Sequence, residues 1–375
     1  MNRISKFQEV LKEKGVKACI YGPGSNFQYL TNLNNLKWNR MCFNNIHGYH
    51  SSVNYPDYLL VVLPDDYVIL TCPDFQDYFK EFNHKVIFFE QLLDFLAPYI
   101  EKLDQVYVGF SCFEYIKENI LNTIDVKDGE DLTFGLRAIK DENEIALLKK
   151  LGKFTDDAVE SLLPFIKEGI LQRDLEAKLM EYALKHGLNN YSFDPTCGFS
   201  TLNSHTAKTL EFFGDVKLVP NTTIAFDVGF LIDGYCSDFG RSLYYGTPSE
   251  ELAGGYRALM QAQVAMVEKI VPNKTKISEL YGFILEEVKK QGYEGVLRFK
   301  DTGSLGHQIG IDCHEFPMVN NSYDDILRPG MVFCSEPKMW FENEAYLRVE
   351  DMILVEEDKA VFITNFNREL FELPL

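Results

Sequence analysis

Four acids and one histidine are the residues of this chain best placed to do chemistry together. In IAFDVGFLIDGYCSDFGR, residues 224–241, Asp227 and Asp238 flank an Asp233-Gly234 dipeptide between two apolar runs, and Asp-Gly in that setting signals a tight hairpin. Opposed residues of a hairpin point to the same face. The pattern therefore predicts two carboxylates converging on an otherwise hydrophobic sheet, where like charges repel until a proton or a cation relieves them. MVFCSEP (331–337) and YLRVEDMILV (346–355) repeat the arrangement, with Glu336 and Glu350 on either side of a polar FENE turn. Between the two hairpins, GHQIGIDCHEFP (306–317) sets His307 directly after a glycine that lets the backbone approach closely.

Four carboxylates balance the charge of two divalent cations, an imidazole adds a neutral ligand, and a bridging hydroxide completes the set. A pair of ions about 3.5 to 4 Å apart activates water and polarises a carbonyl. The competing reading makes Asp227 and Asp238 solvated acids beside a turn; their apolar surroundings and the recurrence in a second hairpin favour metal. Taken alone, His307 would read as a satisfied core histidine. Cys236 and Cys334 each stand two residues before a ligand and share its strand face, but the set of five is complete without them and they read as packing. His47 and His50, in IHGYH, have no acidic neighbours and stay unassigned.

The elements that must position these residues follow from periodicity. Residues 1–136 alternate helix and strand: helix 3–14, strands 16–21, 58–63, 67–70 and 85–89, a helix near 90–103 and a strand 105–109. This is a small α/β domain. Asp141 and Glu144 form a capping pattern ahead of apolar residues at helical spacing, so a second domain, 137–375, begins near Arg137. It falls into two similar halves. Helices near 142–164 and 172–186 precede a strand hairpin at 223–246; helices near 253–271 and 277–291 precede strands at 330–336, 345–355 and 359–365. The expectation is an α+β fold, a duplicated helix pair plus curved antiparallel sheet, with ligands supplied by both halves and the site where they meet.

Composition narrows the function. At 375 residues the chain exceeds one ordinary core. Its eight cysteines form no CxxC pair and several lie in apolar runs, which predicts reduced thiols and a cytoplasmic setting. The amphipathic start MNRISKFQEVLKEKG lacks a signal peptide's continuous apolar core, and YLLVVL stops at Pro64, so neither export nor a membrane span is expected. A net charge of −19 opposes nucleic-acid binding.

The stretches IAFDVG, GYCSDFGR, GHQIGIDCHEFP, MVFCSEP and LRVEDMILV, with the two Asp eleven positions apart, resemble the pita-bread-fold metallopeptidases: methionine aminopeptidase, Xaa-Pro aminopeptidase, prolidase and creatinase. The resemblance covers roughly 137–375; LRAIKDENEI and YGPGSNFQYLTNL (21–33) are similar to the creatinase-like N-terminal domain of the Xaa-Pro branch. It implies a dinuclear peptidase cleaving short peptides at Xaa-Pro bonds by attack of a metal-bridging hydroxide. The alternative is a metal-dependent hydrolase or lyase of the same fold acting on a small non-peptide substrate. By the same resemblance Asp227 chelates one metal, Asp238 and Glu350 bridge both, and His307 and Glu336 bind the other. Glu336 also accepts the proton of the attacking water. His205, in STLNSHTA, and His314 match positions that contact substrate and stabilise the tetrahedral intermediate, and Arg348 orients the carboxylates. Oxygen and nitrogen ligands suit manganese and also admit cobalt, zinc or iron; a homodimer is implied by the resemblance alone. Two positions depart from the family: Lys338 stands where Gly follows Glu-Pro, and Gln308 replaces a common Gly after His307.

Overall fold

A computed structural model describes residues 2–36, 56–88, 91–112, 116–118, 124–188, 190–200, 216–341, 345–369 and 371–375. The chain divides into two compact units, Met1–Arg137 and Ala138–Leu375.

In the first unit, helix α1 (Arg3–Lys14) is capped by Asn2, whose side chain accepts from the Ser5 backbone N–H, and buries Ile4, Phe7 and Leu11. Helices α2 (Ser25–Thr31) and α3 (Leu92–Ile100) accompany six strands: β1 (Cys19–Tyr21), β2 (Tyr58–Val62), β3 (Tyr67–Thr71), β4 (His84–Val86), β5 (Gln105–Val108) and β6 (Asp125–Asp128). They form a mixed sheet of order β4-β3-β2-β1-β5-β6. Apolar residues of β1, β2, β3 and β5 pack with Leu92, Leu96 and Ile100 of α3 into one core. Helix α2 and strand β6 lie outside the elements expected from periodicity, because α2 is a short run rich in Asn, Gln and Thr, and β6 has the polar sequence DVKD.

The second unit opens with α4 (Glu142–Glu160), held by the capping box expected from its sequence: Asp141 accepts from the backbone N–H of Asn143 and Glu144, and Glu144 reaches back to the cap. Helix α5 (Gln172–Lys185) follows, then β7 (Thr196–Ser200), β8 (Thr222–Val228), a short hairpin of β9 (Leu231–Ile232) and β10 (Tyr235–Cys236), and β11 (Phe239–Tyr245). The second half repeats this with α6 (Glu250–Lys269) and α7 (Leu280–Lys290), then β12 (Gly306–Gln308), β13 (Glu315–Val319), β14 (Val332–Ser335), β15 (Lys338–Phe341), β16 (Ala345–Val355), β17 (Ala360–Phe362) and β18 (Glu372–Leu373).

The main sheet runs β13-β12-β14-β16-β11-β8-β7, with β15 and β17 paired to β16 and β18 to β11. It is the curled antiparallel sheet of the pita-bread fold. Its two halves join where β11 meets β16, through Gly240 opposite Glu350 and Arg241 opposite Val349. One face packs on α6 and α7: Leu347, Val349 and Ile353 of β16 and Met339 and Phe341 of β15 lie in a core with Leu259, Met266, Leu280, Ile284 and Val288. Strand alternation therefore turns Lys338, Trp340, Tyr346, Arg348 and Glu350 to the other face. Among the described residues, no helix is long and apolar enough to cross a membrane.

Candidate metal centre

Register brings the acids together. About the Asp233-Gly234 turn, Ile232 pairs with Tyr235 and Val228 with Phe239, so Asp227 faces Gly240. Asp227 and Asp238 are thus diagonal neighbours on one face, not directly opposed, because the hairpin is symmetric about that turn and places Asp238 two residues ahead of Asp227's partner. Gly240 lies between Asp227 on β8 and Glu350 on β16, and the three form one row across the sheet. Its missing side chain matters: a Cβ there would sit 2.6 Å from Arg348 Nε and 2.9 Å from Glu350 Oε2.

In the second hairpin, Ser335 pairs with Asp351 and Lys338 with Arg348, so the unchanged register sets Glu336 opposite Glu350. Residues 342–344 of the FENE turn lie outside the described residues, as do His205, His47 and His50. His307 reaches the same face through β12, which pairs it with Cys334 of β14. Gly306 permits the approach, since a Cβ there would lie 2.0 Å from the Cys334 carbonyl oxygen.

Asp238, His307 and Glu350 are fully buried or nearly so. His307 Nε2 stands 3.5 Å from Asp238 Oδ2 and 4.0 Å from Glu350 Oε1. Its Nδ1 lies 3.0 Å from the Gln308 carbonyl oxygen; with the proton on Nδ1 donated there, the Nε2 lone pair is left to bind a cation held by the carboxylates. Arg348 runs among the acids: Nη1 donates to Asp227, and Nη2 donates to Glu350 and, at 3.2 Å, to Glu336. Lys338 pairs with Glu336 as well. The His314 ring packs edge-on against His307, centroids 4.0 Å apart.

These neighbours set the charges. Burial pushes Glu350 well above the usual carboxylate range, with Asp238, Glu336 and Asp227 adding to the rise against Arg348. Asp227 is raised as well, by burial first, with Arg348 opposing. Glu336 goes the other way: burial works to raise it, but Lys338 and Arg348 outweigh burial and hold it at about 2. Burial likewise opposes the charged form of His307, yet the hydrogen bond and charge of Asp238 raise it. His314, largely shielded from solvent and beside His307, falls to about 4 and is neutral near pH 7.

The donor set suits a hard or borderline divalent cation. Four carboxylates face two fixed cations, so with all four ionised and His307 neutral the group would carry two negative charges, and the raised Glu350 and Asp227 reflect that shortage of cations. Two buried oxygens, Asp238 Oδ1 and Glu350 Oε1, have no hydrogen-bond partner among the described residues. A buried acceptor without a donor is costly, and a cation bound there removes the cost. Ligand atoms of Asp238, His307, Cys334 and Glu350 all lie within 4.8 Å of one another, as do those of Asp238, Cys313 and His314. Cys334 is buried, and burial together with the nearby carboxylates drives its thiol well above its ordinary value, consistent with packing as its role. Cys236 is likewise buried and donates to the Ile311 carbonyl oxygen at 3.2 Å.

Two participants, Cys313 and Glu315, were not singled out from sequence. Cys313 donates its S–H to Asp238 Oδ2 at 3.1 Å. Glu315 accepts from the backbone N–H of Ile311 and Asp312, at 3.0 and 3.3 Å, and pairs at 2.8 Å with buried Lys140, which ties down the loop carrying His314. The only sequence signal for either was membership of the GHQIGIDCHEFP stretch. Lys338 stands out in the sequence as a departure from the family pattern, but its pairing with Glu336 follows from a register that sequence does not display. Gln308 is buried beside His307, opposite Phe333, with neither amide atom hydrogen-bonded among the described residues.

A curled antiparallel sheet that gathers acids and an imidazole from both duplicated halves is the architecture of a metal-binding hydrolase. The model of metallopeptidase family M24 matches residues 146–357, and this chain belongs to that family. An uncharacterised peptidase of Staphylococcus epidermidis is 25% identical over 375 residues, which cover 98% of this chain and 100% of the relative. Among solved structures, a dipeptidase from Pyrococcus horikoshii OT3 is 23% identical with a TM-score of 0.84, covering 99% of this chain and 100% of its own. A prolidase from Thermococcus sibiricus is 24% identical with a TM-score of 0.83, covering 99% and 98%. These structures share the fold of this chain.

Proposed function

We propose that this chain is a dinuclear metallopeptidase that hydrolyses short peptides, with Xaa-Pro bonds as its preferred target. The observation that carries the reading is the convergence of Asp227, Asp238, His307, Glu336 and Glu350 on one sheet face, with two buried carboxylate oxygens that no donor among the described residues satisfies. Neighbours of the same fold titled dipeptidase and prolidase support the substrate class. Asp227 would hold one ion, His307 and Glu336 the other, and Asp238 and Glu350 both; nitrogen and oxygen donors suit manganese. When bound, the ions supply Lewis acidity to the scissile carbonyl and lower the pKa of the attacking water.

The protein's own groups do the rest. Glu336, kept ionised by Lys338 and Arg348, accepts the proton of the attacking water at a carboxylate oxygen. His314 is neutral, so a ring N–H can donate to the oxygen that gains charge as the carbonyl is attacked. Arg348 fixes the orientation of Asp227 and Glu350 through two N–H donors. His205 is assigned to substrate contact by resemblance.

The test is elemental analysis of the protein before and after stripping and restoring metal, alongside a panel of Xaa-Pro dipeptides and tripeptides. Two ions per chain and cleavage only after metal is restored are expected. A folded, fully metal-loaded protein that cleaves nothing in the panel would remove the peptidase reading.

A further inference from the structure

Beside the metal centre lies a cationic surface whose outer member, Arg298, has no part in the proposed reaction. Residues Val296–Arg298 run along the outer side of β15: Leu297 bridges Met339, the Arg298 N–H donates to the Lys338 carbonyl oxygen at 3.0 Å, and the Trp340 N–H donates to Val296 at 2.8 Å. Leu297 faces the core with Met339, so alternation turns Arg298 to the face that carries Lys338 and Trp340. There the Arg298 guanidinium is ringed by aromatics, its Cζ 5.0 Å from the Phe299 ring centroid, 5.3 Å from Trp340 and 6.0 Å from Tyr346. Lys338 Nζ lies 5.7 Å from the same Phe299 ring and also pairs with Glu336. The contacts therefore run without a break from a candidate metal ligand to Arg298.

Two features mark this as a binding surface. Arg298 carries five N–H donors, and among the described residues its side chain makes no hydrogen bond and no ion pair. That is unexpected in a chain whose acidic residues outnumber Lys and Arg, 56 to 37. The rings attract the guanidinium's charge but supply no oxygen acceptor, so its N–H donors remain available to an anion. The second feature is Phe299 itself, whose φ of +60° puts a bulky residue in the left-handed region while its ring is 40% exposed between the two cations. A bulky residue held there costs free energy, and such positions concentrate at ligand-contacting sites.

We propose that Arg298, backed by Lys338 and walled by Phe299, Trp340 and Tyr346, forms a subsite that takes a carboxylate carried by the substrate. The inference rests on the peptidase reading for its occupant, a short peptide. The carboxylate comes either from an acidic side chain or from the free C-terminus of a dipeptide, and the experiment separates these sources.

Calorimetric titration of metal-stripped protein, where no turnover competes, compares Glu-Pro amide with Gln-Pro amide and Ala-Pro with Ala-Pro amide. In at least one pair the carboxylate-bearing member binds about tenfold tighter or better, and in Arg298→Gln the two members converge to within about twofold, as loss of a charge-assisted bond requires. The pair that responds identifies the source. Arg298→Lys keeps part of the preference, and about 1 M salt, where the Debye length is about 3 Å, erases it in the unmodified protein; the salt result stands even if a variant fails to fold. Equal binding within both pairs, or a preference that survives in Arg298→Gln, overturns the subsite. Turnover of the same peptides by metal-loaded protein is read separately. Cleavage without carboxylate preference removes the subsite and leaves the peptidase, whereas preference without cleavage does the reverse.

Discussion

Glu350 and Asp351 are consecutive residues of β16, both without exposed surface, and they point to opposite faces of one sheet. Behind the sheet, Asp351 Oδ1 accepts from fully buried Arg241 at 3.0 Å and from Thr364 at 2.9 Å, and Arg368 stands 3.4 Å away. One carboxylate there meets two arginines. In front, Glu350 shares Arg348 with Asp227 and Glu336 and lies near Asp238; each acid keeps one oxygen, Glu350 Oε1 and Asp351 Oδ2, without a hydrogen-bond partner among the described residues. Burial alone does not distinguish the two acids; the ratio of fixed cations to carboxylates does. A buried acid supplied with protein cations is a structural ion pair, whereas a group of acids short of cations is a place for metal.

The sharpest way to break this contrast is to delete each acid in turn. Asp351→Ala leaves Arg241 buried without its partner, and removing one member of a buried pair costs about 3–5 kcal/mol. Its folded fraction should still bind metal. Glu350→Ala should lose metal and turnover together, with the stability of the metal-free protein unchanged or raised, because Arg348 keeps Asp227 and Glu336 and one source of repulsion is gone. Urea unfolding of the metal-free variants and elemental analysis read the two effects. The contrast collapses if Asp351→Ala loses its metal without losing stability, or if both variants destabilise the metal-free protein equally.

A subtler probe uses two glycines with different surroundings. A Cβ at Gly240 meets the Arg348 side chain and Glu350 Oε2, whereas a Cβ at Gly152 of α4 meets the backbone carbonyl oxygen of Ile363 at 2.4 Å. Gly240→Ala displaces side chains that orient the ligands, and metal affinity or turnover should fall about 10- to 100-fold. Gly152→Ala must push backbone aside, at a cost of about 1–3 kcal/mol in stability, with metal affinity intact. Metal titration and thermal unfolding of both proteins decide whether the damage divides this way.

Much of this was readable in sequence, and the reasons differ by residue. Asp227 and Glu350 lie on apolar strands, and Asp238 and Glu336 directly abut β11 and β14 beside recognisable turns, so their convergence follows from period-two alternation. The helix pairs were readable because α4 carries its own capping box and apolar stripe. Register was less accessible: which residue faces Asp227 depends on where the Asp233-Gly234 turn centres the ladder, and Gly240 carries no chemical mark. The cation balance was less accessible still. Arg348 and Lys338 neutralise half the negative charge of the four acids only because β15 and β16 pair them, and sequence displays neither that pairing nor the approach of Arg298 from a separate stretch. β12 was too short to register as a strand by periodicity, and β13, EFPMV, carries Pro317 in its middle, which argues against a strand.

The smallest effect tests the back of the sheet by pH. Asp156 of α4 accepts the backbone N–H of Asn365 at 2.6 Å and of Phe366 at 3.1 Å. Burial pushes its carboxyl up to about 7, with the charge of Asp351 adding to the rise and the two backbone donors opposing. The unfolded chain loses this proton near pH 4, and the folded chain keeps it until about pH 7. Between those values the unfolded state binds fewer protons, so stability falls as pH rises, and above about pH 7 the penalty is constant. Because Asp156 is only partly enclosed, solvent screening reduces the effect to roughly 1 kcal/mol. Asp156→Asn carries a fixed offset, since one amide cannot accept both N–H groups, but it removes the slope. Unfolding free energies of the two proteins, measured from pH 4 to 8, should therefore draw together or cross as pH increases; parallel curves would show that the groups behind β16 hold Asp156 ionised throughout.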